Sequence, residues 1–498
     1  MARTTRSSAA PLYLGLDIGT SSVKALAVTT AGRVLGVGSV AHPLRQPRPG
    51  WAEQQPDDWW AAACAALRQL LARPGVAGAP VAALGLSGQM HGATLLDGAG
   101  QPLRPSLIWA DGRAIPPGSP LLARVPPADV LAITGSAPYA SATLAKLLWV
   151  RDHEPAVWAR LGHVLLAKDD VRHRLTGAIA TDHSDASATQ LYDVRARAWS
   201  AVIRDALGLD ATALPRIRAA DALAGAVTPA AARATGLAAG TPVATGGGDA
   251  ACAAFGARLG EAAAGEVLVS LGTAGQIFAL LDAPVIDPAG GVQTLCYVAD
   301  ARWHALGAIL SAGHTLAWLA AVAGADVGTL LAEAGAVAPG ANGLLCLPSL
   351  LGARGATAGG ARAAFLGLMA THTRAHLARA AVEGVAFALR ERLEAVRALG
   401  VAAGRVLLAG APAASDIWPR VLADVLALPV AAVPVAHGSA LGAARLAARA
   451  VGDDLAPASE APRVTLPVPA HVTAYERRYP LYRATAVALG ALHLGHTR

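Results

Sequence analysis

Tyr13-Leu14-Gly15-Leu16-Asp17-Ile18-Gly19-Thr20-Ser21-Ser22-Val23-Lys24-Ala25-Leu26 reads as an apolar strand, a Gly-Thr turn and a second apolar strand. Leu268-Val269-Ser270-Leu271-Gly272-Thr273-Ala274-Gly275-Gln276-Ile277-Phe278-Ala279-Leu280 repeats the design. The two Gly-Thr pairs are separated by about half of the 498-residue chain. Similarity at that spacing indicates a duplicated domain with one phosphate-sized hairpin per half. Glycine at the bend lets backbone N–H groups approach a phosphate with no Cβ in the way. Thr20 and Ser21 add hydroxyls and Lys24 a point charge. Asp17, at the end of the preceding strand, suits a Mg²⁺ ion held mostly through water. An ordinary hairpin also uses Asp and Gly; the recurrence at Gly272-Thr273 favours nucleotide binding.

Around the hairpins, strand patterns at 81–86 and 405–408 alternate with helical patterns at 56–71, 144–150 and 441–450. Such alternation indicates α/β layers with helices flanking mixed sheets. The length calls for two cores rather than one, and the stretch 256–265 suits a boundary between domains 1–257 and 258–490. The proline-rich stretches 43–49 and 116–127 read as surface connections.

Composition excludes several classes. Hydrophobic residues are 54% and charged residues 15% of the chain, as in globular proteins. The net charge of +7 is spread over arginines that occur singly or in pairs, without runs or interleaved aromatics. That pattern argues against nucleic-acid binding and suits an enzyme with an anionic nucleotide co-substrate. Cys64, Cys252, Cys296 and Cys346 lack CxxC or His/Cys spacing, so they read as free buried thiols. The first eleven residues have no apolar core of a signal peptide, and no stretch reads as a membrane span. A soluble, cytoplasmic protein is expected.

Two further motifs carry chemistry. Thr245-Gly246-Gly247-Gly248-Asp249-Ala250 places three glycines before an acid at a helix start. Consecutive glycines are entropically costly, so a ligand or a second backbone must pass close by. Asp249 is then either a helix N-cap or a carboxylate presented into a cleft, which the glycines favour. Ser87-Gly88-Gln89-Met90-His91-Gly92, after the strand at 81–86, makes a polar rim suited to sugar hydroxyls. A lone histidine is more often an ordinary core or surface residue. Lys24, Lys146 and Lys168 all lack the GxxxxGK[ST] frame. GxGxxG after a strand, HExxH and GxSxG are also absent.

Together these residues resemble the FGGY carbohydrate kinases, of the actin/hexokinase-like superfamily, over most of the chain. Ser141 to Val150 is similar to the family's first signature, and Phe365 to Leu368 with His376-Leu377 and Glu383-Gly384 to its second. Within the family the likeness is to xylulose kinases. It is carried by Trp51 to Pro56 with Trp59-Trp60, Gln89 to Asp97, Ile108-Trp109-Ala110-Asp111-Gly112-Arg113, Thr181-Asp182 with Ser184-Asp185-Ala186, and Ser439 to Ala444. Glycerol kinases carry Arg-Glu where this chain has Met90-His91.

The resemblance implies two duplicated ribonuclease H-like α/β domains with an interdomain cleft. It also implies ATP- and Mg²⁺-dependent phosphorylation of a ketopentose, D-xylulose to D-xylulose 5-phosphate. It makes Asp249 the catalytic base, Asp17 the metal-side residue, and Gln89, Met90, His91, Trp109 and Asp111 the sugar contacts. Thr20, Ser21, Lys24, Gly272 and Thr273 then serve the phosphates, and Gly410, Ala411 and Ser415 the adenosine. Sugar and ATP are the implied partners, and a homodimer is allowed. Alternatives are a kinase of another ketose or polyol, a weakened binding homologue, or an actin-like ATPase. Three departures from the family pattern stand out: Ala250 replaces an Asn, residues 352–357 replace a Gly-Glu-Arg-Thr-Pro stretch, and Ala409-Gly410-Ala411-Pro412 replaces Gly-Gly-Gly-Ala.

Overall fold

In the first hairpin Leu12–Ile18 pairs antiparallel with Ser22–Thr29, from Leu12 opposite Thr29 to Ile18 opposite Val23. The alternation of its side chains decides what covers each face. Leu12, Leu14, Leu16 and Ile18 form one core with Trp59, Ala63, Ala66, Leu67 and Leu70 of the helix Pro56–Leu71. Tyr13, on the other face, packs with Ala440, Ala444 and Ala447 of the helix Gly438–Ala450. The computed structural model describes residues 10–113, 120–263, 265–352, 362–433, 437–457 and 461–493.

The chain forms two compact units. The first comprises Met1–Arg258, Leu295–Arg302 and His437–Glu460; the second comprises Leu259–Thr294, Trp303–Ala436 and Ala461–Arg498. The sheet of the first unit runs Val34–Ala41, Ser22–Thr29, Leu12–Ile18, Val81–Gly88, Pro242–Ala244 and Leu223–Ala226, with Gly247–Gly248 also paired to Val81–Gly88. The second sheet includes, in this order, Trp303–Ile309, Gly275–Leu281, Glu266–Leu271, Arg405–Ala409, Val430–Ala432 and Arg463–Thr465. In both, an antiparallel hairpin is extended by one antiparallel strand on one side and two parallel strands on the other. The duplication read from the Gly-Thr pairs is therefore a duplication of sheet topology.

The halves differ where chemistry is expected. In the register that holds Asp17 opposite Lys24 in the first hairpin, the second holds Ser270 opposite Gln276. The first turn is closed by Gly19 N–H donating to Ser22 O, the second by Gly272 N–H donating to Ala274 O. Only the first half carries a carboxylate at this place.

Alanine and glycine in Gly438–Ala450 let that helix lie almost on its neighbours' backbones. A Cβ on Gly15 would stand 1.8 Å from Ala440 O, on Gly85 1.9 Å from Ala443 O, and on Gly442 1.9 Å from Cys252 O. The last of these sets the helix Gly438–Ala450 against the helix Asp249–Gly256. Gly442→Ala would normally favour a helix by about 1 kcal/mol. Here the added methyl meets backbone, so a net loss of about 1–3 kcal/mol is expected. Thermal unfolding checks this, and a raised midpoint would contradict it.

One expectation changes. The stretch 116–127, read as a connection, contributes the helices Pro120–Arg124 and Pro127–Thr134. Each begins on a proline, whose missing N–H is harmless in a first helical turn. The altered loop at 352–357 lies, apart from Gly352, outside the described residues. All four cysteines are buried and free. Among the described residues no group of three or more His, Cys, Asp or Glu could hold a metal. No single helix there is long and apolar enough to cross a membrane.

Candidate active site

Gly19-Thr20, Gln89 and Asp249 all follow the carboxyl ends of neighbouring parallel strands, Leu12–Ile18, Val81–Gly88 and Gly247–Gly248. Ligands of open α/β sheets bind at such ends.

The Gly-Thr turn is held from below by Gln54, which is fully buried. Gln54 Nε2 donates to Thr20 O at 2.7 Å, and Gln54 Oε1 accepts from Trp59 Nε1 at 3.0 Å and Gln89 Nε2 at 2.8 Å. Thr20 Oγ1 donates to Gln89 Oε1 at 3.5 Å and accepts from Trp109 Nε1 at 2.7 Å. His42 Nε2 contacts Gly19 O at 3.0 Å, with Nδ1 facing Gln54 Nε2 at 3.2 Å. A single tautomer, protonated on Nε2, satisfies both contacts. A buried network with its groups satisfied is rigid, so the turn is preorganised.

The expected sugar contacts divide by what their side chains already touch. Gln89 is buried and its amide is engaged at both ends by Gln54 and Thr20, so it shapes the turn. Met90 is buried against Gly248, where a Cβ would stand 2.9 Å from its Cγ. Trp109 is 40% exposed while its N–H holds Thr20. His91 sits in the left-handed region at φ 65. Its carbonyl accepts from Lys146 Nζ at 2.8 Å, and its Nδ1 lies 2.9 Å from both Ala188 O and Tyr139 Oη. The Asp111 carboxylate is fully buried and takes Ala52 N–H at 2.6 Å and the Arg113 guanidinium at 2.8 Å. A carboxylate so engaged braces the loop that carries Trp109.

Asp249 is the first residue of its helix; Gly248 is the cap. The N-cap alternative therefore falls. Ala250 N–H donates to Asp249 Oδ1 at 2.8 Å, and Ser439 Oγ donates to Asp249 O at 3.1 Å. Desolvation first, and then repulsion from Asp17, push the Asp249 carboxyl up to about 7. Burial also raises Asp17, against the pull of Ser87 and of Lys24 directly opposite. Asp17 Oδ1 is buried without a hydrogen-bond partner. Two desolvated carboxylates beside a rigid turn, one poised near neutrality, can accept a proton and attract a cation.

The triple glycine answers to a second backbone. Gly246 has φ 82, and a Cβ there would lie 2.2 Å from Leu86 O. Gly247 fits among Val298, Cys252 and Ser184. In the second unit Gly272-Thr273 and Gly410 also follow adjacent parallel strands. Gly410 has φ 95, and a Cβ there would stand 2.4 Å from Leu271 O. Ala411–Ala414 then forms a 3₁₀ turn whose first turn accommodates Pro412. Ser415 Oγ accepts from Ile417 N at 3.3 Å and lines a cavity of about 1020 Å³ together with Gly328, Leu331, Ala332, Gly335 and Arg420. Gly272 and Gly410 are not among its lining residues. Ser21 is exposed at the first turn.

Gln54, His42, Tyr139 and Ser184 had no assigned chemistry in the sequence. Gln54 lies inside a stretch that resembles the family, yet nothing local says that its amide supports a turn 34 residues away.

The N-terminal domain model of the FGGY family of carbohydrate kinases matches residues 12–256, and the C-terminal domain model matches 267–451. The chain is 38% identical to a xylulose kinase of Escherichia coli (strain K12) over 439 residues, covering 88% of this chain and 89% of that protein. It superposes on the crystal structure of a “xyloylose kinase” from Brucella ovis with a TM-score of 0.89 and 36% identity, covering 97% of this chain and 100% of the other. Against a xylulose kinase from Rhodospirillum rubrum the TM-score is 0.88 at 32% identity, covering 97% and 99%. Matches of this extent across both halves, on a sheet topology that is itself duplicated, leave one assignment: the chain belongs to the FGGY family of carbohydrate kinases.

Proposed function

We propose that this sugar kinase transfers the γ-phosphoryl group of ATP to the primary O5 hydroxyl of D-xylulose, with Asp249 as the base. The observation that carries the reading is the Asp17–Asp249 pair beside the Gly19-Thr20 turn, with Asp249 raised to about 7. Similarity to proteins named xylulose kinases supports the choice of sugar.

Phosphoryl transfer depends mainly on positioning and charge neutralisation. Asp249 orients the hydroxyl and takes its proton as the O–P bond forms, so it need not be a strong base beforehand. His91 borders the sugar, its ring placed by Ala188 O and Tyr139 Oη at Nδ1. Trp109 offers its exposed face to the sugar's C–H surface. The Gly19-Thr20 turn with Ser21 and Lys24, and the Gly272-Thr273 turn, are assigned to the phosphates. Gly410, Ala411 and Ser415 border the adenosine, and the cavity that Ser415 lines has room for its base. The unpartnered Asp17 Oδ1 fits a Mg²⁺ ion, which Asp17 would hold largely through water. When bound, that ion neutralises charge on the phosphates.

Ketoses, pentitols and polyols assayed with purified protein for sugar-dependent ADP release test this reading. D-xylulose is expected to give the highest kcat/KM; a larger value for a pentitol or glycerol would refute the substrate. A pH profile tests the base. Asp249 must be ionised to act and its carboxyl titrates near 7, so kcat/KM should fall about tenfold per unit on the acid side. A flat profile from pH 8 to 5.5 would remove Asp249 from that role.

A further inference from the structure

Three glycines cannot by their own side chains hold the carboxylate that follows them. The structure supplies the hold from a buried polar cluster that the chemistry above does not use. Ser184 Oγ accepts from Gly248 N at 3.0 Å and donates to Asp182 Oδ2 at 2.5 Å. Asp182 also accepts from Ser184 N at 2.7 Å and caps the helix His183–Ser187. Its other oxygen lies 3.0 Å from Lys168 Nζ, which also meets Asp169 at 2.7 Å and Asp185 at 3.0 Å. Arg172 bridges Asp169 at 2.9 Å to Thr245 O at 2.7 Å. Every side chain in this cluster is fully buried.

The stretch before Asp249 is thus gripped at both ends, at Thr245 O by Arg172 and at Gly248 N by Ser184. Burying five ionisable groups is a poor route to stability, because apolar residues of similar volume usually do as well. What such a cluster adds is a defined geometry. The peptide it defines is the one that carries Asp249.

We infer that Ser184 is a positioning residue for Asp249. Its hydroxyl, oriented by Asp182 and Lys168, sets the Gly248 peptide and through it the angle at which the carboxylate meets the sugar hydroxyl. The inference rests on Asp249 being the base.

Ser184→Ala is the direct test. It should lower kcat about 10–100-fold while KM for sugar and for ATP stays within about threefold, since no substrate contact is lost. Ser187→Ala is the structural control. Ser187 lies on the same helix and is equally buried, with Oγ donating to Ser184 O at 2.8 Å and accepting from Cys296 N at 3.0 Å. It does not reach Gly248, so that variant should keep kcat within about twofold. Ser184→Cys, nearly isosteric and a weak acceptor, covers the case in which the alanine variant does not fold; it should lose kcat several-fold. Wild-type kcat in either Ser184 variant, or equal losses in Ser184→Ala and Ser187→Ala, would overturn the inference. Asp249→Asn in the same assay separates the two claims: retained turnover there refutes the base itself. Lost turnover there, with Ser184→Ala unaffected, refutes only the positioning role.

Discussion

Asp249→Asn is expected to lower kcat about 10²–10⁴-fold, the range that a positioned general base contributes. Sugar affinity should hold, because the amide keeps the size of the carboxyl and can still accept a hydrogen bond. Stability should move the other way. The folded carboxyl titrates near 7, well above its ordinary value, because it is desolvated and faces Asp17. Its contribution is intact below about pH 4 and is lost as pH rises toward 7. Asparagine carries no such charge, so the variant should be more stable than wild type at pH 8 by about 1–4 kcal/mol. The gain should fade toward pH 4. Kinetics and thermal melts at pH 5 and pH 8 check both halves. A variant that is inactive yet no more stable at pH 8 would mean that burial and Asp17 do not raise the Asp249 carboxyl.

Asp17→Asn carries the second large effect. Losing a charge that acts on the transferring phosphates is expected to lower kcat by about 10²–10³-fold. It should also raise the Mg²⁺ concentration needed for half-maximal rate. The variant has a second signature that a merely destabilised protein would not show. The Asp17 charge opposes ionisation of Asp249, so removing it lets Asp249 ionise more easily. The acid limb of the residual rate should therefore move to lower pH. An unmoved limb would place Asp17 outside the electrostatic field of the base. A limb that moved up would reverse the assigned sign.

Much of the fold was legible because its signals are local. The helix at 56–71 was readable to its ends, since Pro56 marks its first residue and apolar spacing does the rest. The strands at 81–86 and 405–408 came out two residues and one residue short respectively, where glycine or alanine blurs the edge. The helix at 441–450 was seen from Leu441 onward. Its true start at Gly438 was hidden because small residues give no periodicity.

The candidate site was legible as motifs and illegible as contacts. Met90 and Gln89 stood beside His91 in one motif, yet each is engaged inward, by Gly248 and by Gln54 with Thr20. Asp111 stands in a stretch that resembles the family, and its carboxylate is engaged by Arg113 and Ala52 N–H. No property of a single residue reports such a partner.

The sequence by itself determined the duplicated Gly-Thr hairpins, the glycine run before Asp249 and the family these belong to. Each is set by backbone freedom and side-chain pattern within a dozen residues. Tertiary structure alone decided that Asp17 lies close enough to raise Asp249, that Gln54 holds the turn, and that Ser184 holds Gly248. It also laid the helix Gly438–Ala450 against the first sheet. Those outcomes depend on which distant groups are left without water together, and desolvation is a property of the packed chain.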